Sequence, residues 1–582
     1  MLRVVIVGGV ALGPKVACRL RRLVAGAEIT VVDQDRHISY GGCGIPYYLA
    51  DEVPDETQLM RTSFHALRDP RFFREAKGVT VLPRTRALAI DRARRELTVQ
   101  DLESGERRTL AYDALVLGTG SVGAAPPVPG RDLGNVFMVQ GLQDALDLKR
   151  ALIGEDIRHA VVVGGGAIGL EVVEGLVETW NLQVTLVERL GHVLPQIFDA
   201  TIAGIAEATL RAKGVAVHTG ESLLRLEGEG GKVARVVTDR RVLPAELVVI
   251  ATGVRPNAVL ARAAGLAIGP LGGIAVDGQL RTSDPAIWAG GDCIEVRSLI
   301  TGAPLHAPLG SLANRQGRVI ADSIAGRQTR FDGAVGSFIV KLFDTALAAA
   351  GATQEQALAA GIDAERALVV GYDRAHFMPA KAILVLQLIV DRATRRVLGF
   401  QGAGPANDAL LARVDAVAAL LRHGPTVEDI GSLELAYSPP FASAMDTLNA
   451  LGNTAGNLLD GLYRRMTVGE ALELLGDPAS DVLFLDTNAP RQAAPYLARY
   501  PDRWVNIPYE QVASRVDELP RGRTIVTLCD SGIRSFESQV VLSAHGFPKA
   551  FALEGGYNLL KRLGVDLLAE GCPPAPPPAT AR

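Results

Sequence analysis

The chain has 582 residues, of which 48% are hydrophobic, enough for several buried cores and, at roughly 100 to 200 residues per domain, about three to five domains. A net charge of −4 offers no basic surface to nucleic acid or to an anionic membrane. Five cysteines (Cys18, Cys43, Cys293, Cys529 and Cys572) in so long a chain make neither a disulfide framework nor a metal-ligand spacing, which excludes a stapled secreted scaffold and a metal module. The first residues run directly into a strand without the pattern of a signal peptide, and no uncharged apolar run approaches the ~18 residues of a bilayer span. The expectation is a cytoplasmic protein that enters no membrane.

Residues 4–13 read as a buried strand breaking into a glycine turn, with Gly8, Val10 and Gly13 at the three positions of a dinucleotide fingerprint. A helix should follow, then a strand ending Val31-Val32-Asp33, and the first copy closes on Leu115-Val116-Leu117-Gly118-Thr119-Gly120. Residues 160–169 repeat the unit with Gly164, Gly166 and Gly169, then a strand ending in Glu188 and a close at Val248-Val249-Ile250-Ala251-Thr252-Gly253. Asp33 lies 20 residues after Gly13 and Glu188 19 after Gly169, the spacing at which an acid accepts ribose hydroxyls while the glycines admit a pyrophosphate. Two paired modules imply two nucleotides. Val10 replaces the middle glycine of the first copy, which predicts a slightly displaced pyrophosphate there. Glu188 favours NADH by repelling a 2'-phosphate, and the adjacent Arg189 leaves NADPH open.

Between the first module's acid and its close stands Ser39-Tyr40-Gly41-Gly42-Cys43-Gly44-Ile45-Pro46-Tyr47-Tyr48, a lone cysteine with no near partner. Farther on comes Thr282-Ser283-Asp284-Pro285-Ala286-Ile287-Trp288-Ala289-Gly290-Gly291-Asp292. This stretch resembles the FAD-closing motif of the pyridine nucleotide-disulfide oxidoreductases, in which the aspartate binds the flavin's ribityl and phosphate region; the alternative for Asp292 is a helix cap. The resemblance implies FAD on Gly8, Val10, Gly13, Asp33, Thr119, Gly120 and Asp292, and NADH on Gly164, Gly166, Gly169, Glu188 and Gly253. At Cys43 it narrows to the coenzyme A-disulfide reductases, NADH oxidases and persulfide reductases, which share a Ser-Phe-x-x-Cys-Gly-x-Pro-Tyr segment. Ala313-Asn314-Arg315-Gln316-Gly317-Arg318 and Leu435-Ala436-Tyr437-Ser438-Pro439-Pro440-Phe441 extend it.

Several roles follow from that resemblance. Cys43 is the redox thiol, expected beside a helix start whose dipole lowers its pKa from about 8.5 toward neutrality. Tyr437 matches a tyrosine that reaches the cysteine from the other subunit of a homodimer; the alternative is a β-hairpin aromatic packed under the two prolines. Arg19 and Arg22, with Arg21 on the same helix, match basic residues that grip a coenzyme A phosphate, and their alternative is a solvated helix face. Ser39 is carried over with them as a substrate-binding residue. Two departures weigh against coenzyme A disulfide itself: Phe377-Met378-Pro379-Ala380 stands where a Tyr-Tyr-Pro-Gly-Ala stretch is common, and Gly42 where an asparagine is.

The end of the chain reads as a separate small α/β unit: strand Val482-Leu483-Phe484-Leu485-Asp486, then strand Thr524-Ile525-Val526-Thr527-Leu528 running into Cys529-Asp530-Ser531-Gly532-Ile533-Arg534-Ser535. That loop resembles the rhodanese active site, Cys-x-x-Gly-x-Arg, which implies a sulfur anion on Cys529 stabilised by backbone N–H groups and Arg534. Asp486 and Arg491 match an early acid–arginine pair of rhodaneses more loosely. The alternative is an inactive rhodanese-like domain kept for contacts.

The expected fold is α/β throughout: an FAD-binding domain from 1–150 and 281–330, an NAD(P)H-binding domain at 151–280, an α+β dimerisation domain at 331–456, a linker at 457–465, a rhodanese-like domain at 466–571 and a disordered tail at 572–582. The expected activity is FAD-dependent reduction by NADH of a small sulfur substrate (a persulfide, polysulfide or coenzyme A disulfide) through Cys43, with Cys529 binding or relaying sulfane sulfur. Two alternatives stay open: an NADH oxidase cycling Cys43 through sulfenic acid, and a redox or sulfane-sulfur sensor.

Overall fold

The computed structural model describes residues 1–570, so the tail expected to be disordered lies outside the described residues. The chain divides into two units, Met1–Leu190 with Gly214–Ala334, and Gly191–Lys213 with the residues from Val335 onward.

The first unit holds two five-stranded sheets. In one, the strand order is Ile287–Ala289, Ala114–Leu117, Arg3–Val7, Glu28–Val32 and Thr80–Leu82, all parallel. Parallel strands covered on both faces read as continuous apolar runs, and Val4, Val5, Ile6, Leu115, Val116 and Leu117 are all buried. Ile287–Ala289 forms one edge, so the chain leaves this sheet after Ala114–Leu117, builds the second sheet and returns. The second sheet is ordered Ala216–His218, Gln183–Val187, His159–Val163, Leu247–Ile250 and Val136–Met138, also parallel.

The two glycine turns are built alike. Gly8 N–H donates to Val32 O and Gly164 N–H to Val187 O, each at 2.8 Å. Gly8 has φ +110°, and a Cβ there would stand 2.0 Å from Gly118 O, so the strand crossing leaves no room for any side chain. The helices after the turns differ in their starts. Ala167–Glu178 begins directly after Gly166, whereas the first module's helix, Leu12–Leu23, begins one position later in the motif. Val10 at the middle-glycine position accompanies that late start.

In the second unit an antiparallel sheet ordered Phe338–Leu342, Thr345–Gly351, Val397–Pro405, Ile383–Asp391 and Ala364–Tyr372 is followed by a parallel one. The latter runs Arg465–Met466, Ala550–Leu553, Ile525–Leu528, Leu483–Asp486 and Trp504–Asn506. The linker expected at 457–465 is corrected by this arrangement. The helix Thr447–Leu459 runs into it, Arg465 already belongs to the parallel sheet, and Tyr463 between them is buried edge-on against Phe536 with ring centroids 5.3 Å apart. The intervening polar sequence reads as linker, but its one aromatic has a hydrophobic site to fill.

A Cβ on Gly13 would meet Gly8 O at 1.9 Å, while one on Gly26 meets nothing within 4 Å. Gly13→Ala should therefore lose its flavin absorbance on purification and be destabilised by about 3 kcal/mol, read as a lowered Tm, with Gly26→Ala as the unaffected control.

Candidate functional site: a cysteine beside two nucleotide cradles, and a second cysteine in a backbone nest

Cys43 occupies the 3-10 turn Gly42–Gly44 that leads into the helix Ile45–Leu49, and it is exposed. Its Sγ also faces the start of the helix Gly310–Ile324, where a Cβ on Gly310 would stand 3.9 Å away. The expectation of a lowered thiol pKa is overturned: crowding of the thiol by surrounding protein, then the negative charges of Glu171 and Asp292, push it up. A helix of five residues has little dipole to set against two carboxylates.

Glu171 was not singled out in the sequence, although it sits two positions after Gly169. It lies on the helix Ala167–Glu178, one turn before Gly175, and that helix packs on the end of the helix Ile45–Leu49 that follows Cys43. Thr179 Oγ1 donates to Ala50 O at 2.9 Å, Trp180 Nε1 to Leu49 O at 2.8 Å, and a Cβ on Gly175 would stand 3.2 Å from Ala50 Cβ. Burial, with Glu174 close by, pushes the Glu171 carboxyl up to about 7.

Asp292 is not a helix cap. It sits in the 3-10 turn Gly291–Cys293, accepts from Ser121 Oγ at 3.2 Å, and has its backbone carbonyl 2.8 Å from His306 Nε2. Gln316 fixes the same turn by accepting from Gly291 N–H at 2.7 Å. Thr119 is clasped to Asn257 through Oγ1 to the carbonyl at 2.6 Å.

The residues present fit two dinucleotides. Around Gly120, Gly166 and Gly253 no protein atom lies within 4 Å of where a Cβ would stand, which leaves open space at the glycine-rich ends of the strands. Neither fingerprint helix has a side chain capping its first turn, so N–H groups there are available to phosphate. The acids hold the turns in parallel ways. Asp33 accepts from Gly9 N–H at 2.5 Å and Asp35 N–H at 2.8 Å; Glu188 accepts from Gly165 N–H at 2.7 Å and Leu190 N–H at 2.8 Å. Burial pushes Asp33 up to about 6.

The substrate-side residues separate. Arg19 Nε is paired with Asp322 Oδ1 at 2.8 Å and Arg21 bonds the carbonyls of Ala25 and Gly78, whereas Arg22 is exposed. Ser39 is buried and its N–H donates to Gly9 O at 2.8 Å, which ties it to the first glycine turn. Tyr437 belongs to no strand and is 51% exposed, which removes its hairpin-packing alternative. Phe377, Phe441 and Met445 of the same unit are exposed as well.

Cys529 is 1% exposed and ends the strand Ile525–Leu528. Gly532 N–H donates to its Sγ at 3.2 Å and Ser535 Oγ stands 3.3 Å away, a nest suited to a sulfur anion. Arg534 Nη2 bonds Asn488 Oδ1 at 2.7 Å and Asp530 Oδ2 at 3.1 Å, so it braces the loop that carries the sulfur. Asp486 and Arg491 do not act as a pair: Asp486 is buried, accepting from Tyr557 OH at 2.7 Å and Trp504 Nε1 at 3.5 Å, and Arg491 is exposed. Among the described residues no His, Cys, Asp and Glu group is arranged to hold a metal, and no helix is long and apolar enough to cross a membrane.

Known proteins bear on this arrangement. The pyridine nucleotide-disulphide oxidoreductase family matches residues 2–309, that family's dimerisation domain residues 337–449, and the rhodanese-like domain residues 467–562. An NAD-dependent persulfide reductase from A. fulgidus superimposes with a TM-score of 0.90 at 36% identity, covering 96% of this chain and 100% of its own. The reduced CoADR-RHD of Bacillus anthracis gives a TM-score of 0.87 at 29% identity over 96% of this chain and 98% of its own. The NAD(P)H coenzyme A polysulfide/persulfide reductase of Pyrococcus horikoshii is 32% identical over 77% of this chain and 97% of its own length. With two glycine cradles, an exposed thiol between helix starts and these matches, the chain belongs to the pyridine nucleotide-disulphide oxidoreductases, FAD-dependent enzymes that use NAD(P)H, and carries a rhodanese-like domain behind the dimerisation domain.

Proposed function

We propose that this enzyme oxidises NADH to reduce a persulfide or polysulfide at Cys43, with Cys529 binding or relaying the sulfane sulfur. The observation that carries this reading is the presence in one chain of an exposed, unpaired cysteine at the nucleotide cradles and a buried cysteine whose sulfur accepts a backbone N–H. FAD, when bound, supplies the two-electron link between NADH and Cys43.

The Cys43 thiolate attacks a substrate sulfur, the substrate S–S bond breaks, and the leaving thiolate takes a proton. Cys43 is left in a mixed disulfide or persulfide; two electrons from NADH and a proton release the second sulfur species and restore the thiolate. A thiol whose pKa is pushed up is a slow nucleophile at neutral pH but a strong one once ionised, so the proton beside it matters. Glu171, titrating near 7, is placed to hold that proton. Asp33 and Asp292 orient one nucleotide and Glu188 the other, and Glu188 sets the preference for NADH. Of the three arginines of its helix, Arg22 is the exposed one, and it meets a coenzyme A phosphate. The dimerisation domain supports a homodimer in which Tyr437 approaches the partner's Cys43 and hydrogen-bonds the leaving thiolate. A cytoplasmic location fits a working free thiol.

Anaerobic NADH oxidation by the FAD-loaded enzyme should be fast with coenzyme A persulfide or polysulfide, fall at least 100-fold in Cys43→Ser and several-fold in Cys529→Ser. Brisk oxidation under air with none in its absence would instead make the protein an NADH oxidase, and slow turnover with every acceptor a sensor.

Glu171→Gln removes a negative charge that raises the Cys43 thiol. Alkylation of Cys43 by iodoacetamide, followed by mass spectrometry in a Cys529→Ser background, should run roughly threefold faster in the variant at pH 8. The difference should vanish at pH 6, where Glu171 is protonated and already neutral. Equal rates at both pH values would remove Glu171 from the account.

A further inference from the structure

The loop that carries Cys529 is gripped by a turn of its own domain, and that turn is held from outside the domain. Behind it runs the turn Glu554-Gly555-Gly556, with both glycines at positive φ, +66° and +57°. The turn wraps the cysteine's backbone: Tyr557 N–H donates to Cys529 O at 3.0 Å and Asn558 N–H to Asp530 O at 2.9 Å. A Cβ on Gly556 would stand 2.0 Å from Cys529 O, so any shift of the turn is passed directly to the cysteine.

Glu554, the residue that begins the turn, is 1% exposed. Its carboxylate takes both Nη groups of Arg366, at 2.8 and 3.3 Å, and Arg465 Nη1 at 3.5 Å. Arg366 is not a rhodanese residue: it projects from the strand Ala364–Tyr372, inside the dimerisation domain. It continues into a buried polar chain, Nη1 to Gln387 Oε1 at 3.4 Å and Gln387 Nε2 to Asp199 Oδ2 at 3.0 Å, with Gln401 Nε2 on the same oxygen at 2.8 Å. Arg465 Nη2 returns to Glu365 Oε1 at 2.6 Å, and Glu365 is also paired with Arg392. Burial works against the Arg366 charge, yet Glu554, Asp199 and Glu365 together hold its pKa above the usual guanidinium value.

A buried carboxylate with a bidentate arginine is fixed in direction as well as charge, and removing one partner leaves the other unable to stay where it is. We propose that Arg366 and Glu554 are positioning residues for Cys529, so that the geometry of the rhodanese sulfur site is set by the dimerisation domain across a buried ion pair. This rests on the reading that Cys529 handles sulfane sulfur. The packed connection at Tyr463 agrees with a docked domain rather than a swinging one.

The test uses the full-length, FAD-loaded protein. In a Cys43→Ser background, Cys529 is loaded with inorganic polysulfide and its sulfur is transferred to cyanide, giving thiocyanate and the free cysteine thiolate. Arg366→Met and Glu554→Gln should each lower the rate about tenfold, and Arg366→Lys, which keeps the charge but not the fork, about threefold. The double variant Arg366→Gln with Glu554→Gln restores an uncharged amide pair and should recover to within threefold of the parent, a rescue that general destabilisation would not give. Amide hydrogen exchange should quicken about tenfold across residues 529–535 and 554–558 in the single variants and stay unchanged in the strand Leu483–Asp486. Single variants within twofold of the parent in both readouts, or a double variant as impaired as the singles, would overturn the proposal. A parent forming no more thiocyanate than Cys529→Ser overturns the sulfur reading instead, and hydrogen exchange then decides the positioning by itself. If Arg366→Met does not fold, Arg366→Lys and the double variant decide it.

Discussion

Everything in the nucleotide-binding unit depends on one close approach of backbone to backbone. At Gly8 a Cβ would stand 2.0 Å from Gly118 O, and at Gly164 2.3 Å from Ala251 O. Each contact brings the first strand of a module against the strand that closes it, and each opens the following helix start to solvent. The acids then lock the geometry, Asp33 on Gly9 N–H and Glu188 on Gly165 N–H. Two such modules lie in the unit that carries the exposed Cys43.

Burial first, and then charge, govern that thiol more than dipoles do. Helix starts at Ile45 and Gly310 flank Cys43, yet Glu171 and Asp292, in partly desolvated surroundings, oppose its ionisation. The same desolvation puts the Glu171 proton within reach of neutral pH. The charge of Glu171 is thus one of the influences that push the Cys43 thiol up.

The second unit handles its cysteine in the opposite manner. Cys529 is enclosed, its sulfur accepts a backbone N–H, and the arginine of its loop is directed to Asn488 and Asp530. An exposed thiol suits exchange with diffusing substrates, whereas an enclosed one that accepts a backbone N–H suits holding a charged sulfur. The buried Arg366–Glu554 pair ties the second arrangement to the antiparallel sheet beside it.

The sequence by itself determined the modules and their order. A glycine turn, a parallel-strand run and an acid some 20 residues on are local patterns, and each encodes a backbone path that only a few residue types permit, so Gly8, Gly13, Asp33, Gly164, Gly169 and Glu188 were legible. Cys43 and Cys529 were legible for the same reason, each fixed by its immediate loop. What needed the tertiary structure were properties set by neighbours remote in sequence. Glu171 approaches Cys43 because one helix packs on another; Arg19 is taken by Asp322, 303 positions away, and Arg366 meets Glu554 across 188. Arg534 matched its motif and also bonds Asn488 and Asp530, and the polar stretch read as a linker was closed by Tyr463. Burial and long-range Coulomb interaction decide those outcomes, and both are functions of three-dimensional distance that no local spacing records.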